Sequence, residues 1–183
     1  GAPHDGDIEG SVFGDDSTLL VDGVNNKIVG TVDTASLTVS STNVAIGNSA
    51  GLTGQNGFAV AIGTSAGLTN QSTKAVAVGD SAGNITQGEY SVAVGNLAGQ
   101  TTQGGYSVSV GYLAGATTQG IRATSIGAGA GATNQGADAT ALGRSSANIN
   151  QGTQATALGG RAGYNDQGAS AVAIGYNAAE GVT

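Results

Sequence analysis

The sequence has no cysteine, methionine or tryptophan, and among its 183 residues it has one proline, two phenylalanines and five tyrosines. Without cysteine, neither a disulfide framework nor a thiolate metal site can form. So few large side chains cannot fill an ordinary globular core. Five basic residues against twelve acidic ones give a net charge of −7, which argues against nucleic acid as a partner.

Long apolar runs are also missing. No stretch approaches the roughly 20 residues that a membrane-spanning helix needs, so we expect no membrane insertion. The first residues, GAPHDGD, lack the basic and apolar regions of a secretory signal, and a chain that starts at Gly1 is expected to be a processed form or a fragment. With 39% hydrophobic and 9% charged residues, the chain is not of the disordered class.

Catalytic chemistry has few candidate residues. His4 is the one histidine and has no nucleophile beside it in the sequence, which excludes triads and dyads. Asp5, Asp7, Asp15 and Asp16 could offer oxygen ligands to calcium, but they lack the loop pattern of an EF-hand and of calcium-binding rolls. The sequence therefore predicts no enzyme activity, no metal site and no cofactor.

From residue 44 onward the chain follows a 16-residue period without a slip. The repeat has the form A-V-A-I-G-x-S-A-G-x-T-x-Q-G-x-x, and the copy at residues 59–74 is close to ideal. A short fixed period is typical of a solenoid, in which each coil buries its apolar residues against its neighbours. One glycine column marks the period: Gly47, Gly63, Gly79, Gly95, Gly111, Gly127, Gly143, Gly159 and Gly175.

Before each of these glycines, strict alternation predicts a β-strand with alanine on one face and valine or isoleucine on the other. We predict an all-β fold, a parallel β-roll or β-solenoid of nine 16-residue coils. A thin roll can hide only one face of this strand, so the other face would need another chain. We expect a homotrimer whose seam or core contains Val44, Ile46, Val60, Ile62, Val76, Val78, Val92, Val94, Val108, Val110, Ile126, Leu142, Leu158 and Ile174.

Glutamine recurs in every complete repeat, and we interpret this column as a structural ladder of stacked amides rather than a ligand site. Its members are Gln55, Gln71, Gln87, Gln103, Gln119, Gln135, Gln151 and Gln167. A threonine row that includes Thr53, Thr69 and Thr101 could present hydroxyls to ice, but it is interrupted at Ile85 and Ile149.

Two variable columns hold most of the aromatic residues and several charges. Such side chains on a rigid exposed face could bind a glycan or a protein of a host surface, with weak contacts multiplied by valency. The alternative is that these are tolerated surface positions. The candidate recognition residues are Phe58, Tyr90, Tyr106, Tyr112, Arg122, Arg144 and Tyr176.

The N-terminal part differs in composition and lacks the 16-residue repeat. Residues 1–10 are polar and glycine-rich and are predicted to form a flexible arm or linker. Residues 11–43 contain short β-prone runs separated by turn-forming clusters, which predicts a small β cap or collar with a hairpin. Residues 44–183 form the repeat array.

The motifs NVAIGNSAG, FAVAIGTSAG and KAVAVGDSAG resemble the head repeats of YadA-type trimeric adhesins. The resemblance covers residues 44 to about 182 and implies a left-handed parallel β-roll that trimerises along its length. This chain departs from the family in its added T-x-Q-G step and in showing no coiled-coil stalk or anchor barrel. The segment GDIEGSVFGDDSTLLVDGVNNKIVG is similar to stretches of structural proteins of tailed marine phages.

These patterns together predict a structural, non-enzymatic protein of the virion, such as a tail-fibre or appendage component that contacts other virion proteins and a host surface. One alternative is the head of a bacterial trimeric autotransporter adhesin on the outer cell surface. A second is a monomeric solenoid that binds ice or another ordered surface.

Overall fold

The computed structural model describes residues 21–22, 27–28 and 43–180. The chain divides into two units, residues 1–40 and 41–183. The second unit is a parallel β-solenoid, as the repeat predicts, and no helix occurs among the described residues. None of those residues therefore belongs to a helix that could cross a membrane.

One nine-stranded parallel sheet runs through the whole array, and each strand pairs with the next strand one repeat later, for example Val60 with Val76. The nine strands are separated by eight complete turns of the solenoid, one fewer than the nine coils that the sequence predicts, because the last strand begins a turn that the repeat does not complete. The strands are β3 (Val44–Ile46), β4 (Val60–Ile62), β5 (Val76–Val78), β7 (Val92–Val94), β9 (Val108–Val110), β11 (Thr124–Ile126), β13 (Thr140–Leu142), β15 (Thr156–Leu158) and β16 (Val172–Ile174).

The T-x-Q part of the repeat forms a second parallel sheet of five strands. Isolated bridges such as Gln71 to Gln87 continue this pairing into the coils on either side. Its strands are β6 (Thr86–Gln87), β8 (Thr102–Gln103), β10 (Thr118–Gln119), β12 (Thr133–Gln135) and β14 (Ile149–Gln151).

The interior between the two sheets is made mainly of alanine, serine and glutamine. The middle residue of each large-sheet strand points inward, and Ala61, Ala77 and Ala93 are completely buried. A second buried row, which includes Ala82 and Ala98, follows the glycine turn. The interior is narrow: a Cβ added at Gly99 would lie 3.3 Å from the Cβ of Ala93 and 2.7 Å from the Gln103 side chain. Larger side chains have no room there, so valine and isoleucine face outward.

The glycine that ends each large-sheet strand has a positive φ, and at every such glycine except Gly175 an added Cβ would also overlap the next coil. Gly63 has a φ of +128°, which side-chain-bearing residues rarely adopt, and its added Cβ would lie 2.5 Å from the carbonyl oxygen of Gly79. The later column that includes Gly88 is needed for close approach instead, because a Cβ there would lie 2.4 Å from the amide nitrogen of Gly105.

In the first unit, β1 (Val21–Asp22) pairs antiparallel with β2 (Lys27–Ile28), with Val21 opposite Ile28. This pairing lies where the sequence predicts a hairpin. The rest of the predicted cap at 11–43, apart from Asn43, lies outside the described residues, as does the whole arm at 1–10.

Candidate interaction surface

The outer face of the nine-stranded sheet carries two mostly aliphatic rows, which we call the Val/Ile stripe. Its first row starts each strand and its second row ends each strand, so it contains all the residues predicted for the trimer seam, together with Thr124, Thr140, Thr156 and Val172. In the central coils these side chains are half-buried, whereas Leu158 is 41% exposed and Ile174 is 64% exposed. The stripe is therefore an uncovered apolar surface along the array.

The glutamine column lies inside the solenoid. Gln71 is fully buried, and its amide nitrogen donates to the carbonyl oxygen of Val60 at 2.8 Å and to Oε1 of Gln87 at 3.0 Å. The same contacts join Gln135 to Gln151 and Gln151 to Gln167. These side chains thus tie their coil to the next one, which is a scaffold role.

At the centres of two large-sheet strands, serine replaces the inward-facing alanine and changes the hydrogen bonds of the glutamine column. Ser109 donates to Oε1 of Gln119 at 2.7 Å, and Ser125 donates to Oε1 of Gln135 at 2.7 Å while accepting from Gln119. Gln103 has alanine, Ala93, at the equivalent place. Its Oε1 is the one buried side-chain oxygen or nitrogen of the described residues without a hydrogen-bond partner.

Two residues before each large-sheet strand from β4 onward, the chain makes a turn. The residues at this position line up from coil to coil, and we call them the leading column. All eight residues of this column are exposed and have a left-handed φ between 54° and 63°, although none is glycine. A side-chain-bearing residue in this conformation costs about 1 kcal/mol relative to the right-handed region. The column is Phe58, Lys74, Tyr90, Tyr106, Arg122, Asp138, Gln154 and Ser170.

Neighbouring members of the leading column contact each other along the array. The rings of Tyr90 and Tyr106 stack with centroids 5.1 Å apart, and the Lys74 ammonium lies 5.0 Å from the Tyr90 ring centroid. Arg122 donates to both carboxylate oxygens of Asp138, at 2.6 and 2.9 Å. These hydrogen bonds lower the pKa of Asp138 below its ordinary value.

The stacked tyrosines have consequences for recognition. Because Tyr106 covers one face of Tyr90 and Lys74 lies over its ring, Tyr90 has little free face on which a sugar could stack. Both residues nevertheless remain exposed, Tyr90 at 44% and Tyr106 at 54%, and the Tyr90 hydroxyl accepts a hydrogen bond from Lys74 at 3.4 Å. The negative charge of nearby Glu89 raises the pKa of Tyr106.

Two residues after each large-sheet strand lies a second exposed row, the trailing column. Tyr112, Arg144 and Tyr176, all predicted as recognition residues, belong to it and are exposed. Arg144 has no side-chain hydrogen bond or ion pair within the described part of the chain. The full column is Asn48, Thr64, Asp80, Asn96, Tyr112, Ala128, Arg144, Gly160 and Tyr176.

The leading and trailing columns therefore lie at opposite ends of the same strands, with the Val/Ile stripe between them. The candidate recognition residues fall into these two columns, as the sequence spacing predicts. The sequence carries no signal for the left-handed turn of the leading column, because Phe, Lys, Tyr and Arg do not favour that conformation.

A polar ladder that the sequence analysis missed lies on another part of the surface. Asn134 donates to Asn150 at 3.0 Å, and Asn150 donates to Asp166 at 2.8 Å, beside a shallow groove. All three residues have a left-handed φ, which asparagine and aspartate tolerate better than most residues. Their recurrence one residue before the glutamine was the available signal.

Within residues 21–22, 27–28 and 43–180, no group of three or more histidine, cysteine or acidic residues could hold a metal ion. His4, Asp5, Asp7, Asp15 and Asp16 lie outside the described residues.

The fold and this surface together define the class of protein: a parallel β-solenoid with an uncovered aliphatic sheet face. Comparison with models of protein families, with curated proteins and with solved structures finds no match to this chain.

Proposed function

We propose that this chain forms an elongated, non-enzymatic homotrimer that serves as the shaft or head of a fibre on a phage virion. The observation that carries the proposal is the Val/Ile stripe. Nine strands at the usual spacing extend about 40 Å, and a strand of three residues adds about 10 Å of width, so the stripe covers on the order of 400 Å² per chain. An apolar patch of this size is as large as the largest patch of a typical monomer, and such patches are often functional.

The regularity of the stripe favours another copy of the same chain as the partner. Every strand pairs with its counterpart in the next repeat in the same register, from Val44 to Ile174. A partner that covers each coil equally needs the same rise per coil, and an identical solenoid aligned along the same axis has it. Rotation about that axis gives a closed assembly. The resemblance of the V-A-I-G repeats to trimeric adhesin heads supports three chains in the assembly.

The same features support a fibre role. Continuous backbone ladders and buried glutamine contacts hold successive coils together, for instance Val92 N to Ser107 O at 2.9 Å. Such a rod resists bending and unfolding, which suits appendage architecture or attachment to a host surface. Other virion proteins would join its ends, and a glycan or protein of the host would be its external ligand. The resemblance of the N-terminal segment to marine phage structural proteins supports the virion over the bacterial surface.

The proposal is tested by the molar mass of the purified chain, measured by light scattering on a sizing column. We expect a mass near three times the 17.4 kDa of one chain. A stable, folded species of one chain would refute the trimer, because the stripe would then be exposed in solution. That result would favour instead a solenoid that binds ice or another ordered surface.

A further inference from the structure

The leading column has side chains at positions where glycine would adopt the backbone conformation at lower cost. All eight residues have a left-handed φ, and a chain with 34 glycines places none of them there. Some of these side chains find partners along the column, such as Tyr90 with Tyr106. Phe58, Gln154 and Ser170 make no side-chain hydrogen bond, ion pair or ring contact in the described part of the chain. The isolated solenoid therefore does not explain why these side chains are present.

The topology indicates what could lie opposite them. The leading and trailing columns are the two edges of the sheet face that carries the Val/Ile stripe. When identical chains surround an axis parallel to their solenoids, one edge of each face meets the other edge of the next chain. A residue of the leading column would then lie opposite the trailing-column residue that flanks the same strand.

The two columns match in charge at those positions. Lys74 and Asp80 flank β5, and Asp138 and Arg144 flank β13, so both strands have one basic and one acidic residue at their ends. Within one chain neither pair is in contact, because the strand between the residues holds their backbones more than about 10 Å apart. No strand is flanked by two residues of like charge.

We propose that the leading column of one chain packs against the trailing column of the next, at the same coil, in the homo-oligomer. Lys74 pairs with Asp80 of the partner subunit, and Asp138, already bonded to Arg122, also pairs with Arg144 of the partner subunit. The proposal rests on the proposed homotrimer and adds its register: the chains are parallel and aligned coil for coil.

The two columns are also complementary in side-chain size. In this arrangement the long Arg122 lies opposite Ala128 of the partner subunit, and Gln154 lies opposite Gly160 of the partner subunit. The small Ser170 lies opposite Tyr176 of the partner subunit. Tyr106 and Tyr112 flank β9 and would form an aromatic contact between chains. Large residues thus face small ones at three coils.

A shift of one coil removes this match. Moving the partner by one repeat in one direction places Arg122 opposite Arg144 and leaves Lys74 opposite Asn96. Moving it in the other direction places Lys74 opposite Thr64 and Asp138 opposite Ala128. Because like charges at an interface disfavour the wrong partner arrangement, the charged residues select the aligned register.

Cross-linking tests the contact directly, since the chain has no cysteine of its own. A variant with Lys74→Cys and Asp80→Cys, treated with a short bismaleimide, is expected to give covalent three-chain species on a denaturing gel. The matched control combines Lys74→Cys with Arg144→Cys, four coils away along the array, or about 19 Å. It is expected to remain mostly single chains.

Light scattering on both variants separates the two proposals. A three-chain mass without cross-links in the Lys74/Asp80 variant would overturn the column contact while the trimer stands. A one-chain mass would overturn both. Equal cross-linking in the two variants would overturn the aligned register.

Charge reversal provides an independent readout. Lys74→Asp places two acidic residues opposite each other at three interfaces, and we expect the dissociation constant of the trimer to rise by roughly tenfold. The double variant Lys74→Asp with Asp80→Lys restores opposite charges and should recover most of that loss. If the second substitution instead adds to the loss, Lys74 and Asp80 do not meet across the interface.

Discussion

Gln103 shows how single atoms set the stability of the interior. Its Oε1 is buried without a hydrogen-bond partner, whereas Gln119 and Gln135 receive hydrogen bonds from Ser109 and Ser125. An unpaired buried acceptor retains the cost of its lost hydration. A serine at the residue equivalent to Ser109 would supply the missing donor.

We therefore predict that Ala93→Ser raises the free energy of unfolding by about 1 kcal/mol. The matched control is Ala61→Ser, because Oε1 of Gln71 already accepts a hydrogen bond from Gln55 at 3.1 Å. Denaturant unfolding of both variants measures the difference. Equal effects of the two substitutions would show that the Gln103 oxygen is not the cause.

Asp138 offers a test in the acid range. Because hydrogen bonds from Arg122 lower its pKa in the folded chain, their contribution to stability is complete above the ordinary pKa of about 3.9 and is lost as the pH falls through the lower folded value. Arg122→Gln is expected to raise the pKa of Asp138 toward its ordinary value. Carboxyl-carbon NMR titration measures this shift, with Arg161→Gln as the control. An unchanged Asp138 titration in Arg122→Gln would contradict the pairing.

The repeated coil depends most strongly on the glycine that ends each large-sheet strand. At Gly79 the φ is +131°, and an added Cβ would lie 2.6 Å from the carbonyl oxygen of Gly95. The following coil supplies this steric limit, and the preceding coil supplies a hydrogen bond, since Gly79 N donates to Ile62 O at 2.8 Å. A side chain at this point would separate two coils.

Gly79→Ala should therefore destabilise the fold by about 3 kcal/mol or more, from backbone strain and steric overlap together. Gly57→Ala is the matched control, because nothing lies within 4 Å of its added Cβ, and it should change stability by less than about 0.5 kcal/mol. Thermal unfolding followed by circular dichroism compares them. A mild effect at Gly79 would mean that coils can separate locally at little cost.

The assembly of the chain depends on which outer sheet face meets another chain. The Val/Ile stripe and the outer side of the smaller sheet are both accessible in one chain, but they differ in chemistry. Val92 and Val94 are aliphatic and half-buried, whereas Thr117 and Thr118 are hydroxylated and exposed. If the stripe forms the centre of the assembly, charges placed on these two surfaces should have opposite outcomes.

The double variant Val92→Asp with Val94→Asp is expected to give folded single chains, because six carboxylates would otherwise meet at the axis of a trimer. Thr117→Asp with Thr118→Asp should keep the mass of the parent protein. Light scattering gives the mass, and circular dichroism verifies the fold in each case. A trimer that tolerates the first pair of substitutions would place the interface elsewhere.

The sequence by itself determined the solenoid and its rows. A 16-residue period without insertions brings equivalent residues of successive coils together, so the pairing of Val60 with Val76 and the stacking of Gln71 on Gln87 can be predicted from spacing. The alternation of small and branched residues likewise predicts two different strand faces.

Only the tertiary structure decided which face lies inside and how the turns are made. Alanine is interior because the opposite wall, with Gly99 and Gln103, leaves no room for valine. The left-handed turn of the leading column is set by the preceding coil, where Tyr106 N donates to Glu89 O at 2.8 Å. Neither fact has a local sequence signal, because both depend on contacts between residues that the winding of the chain brings together.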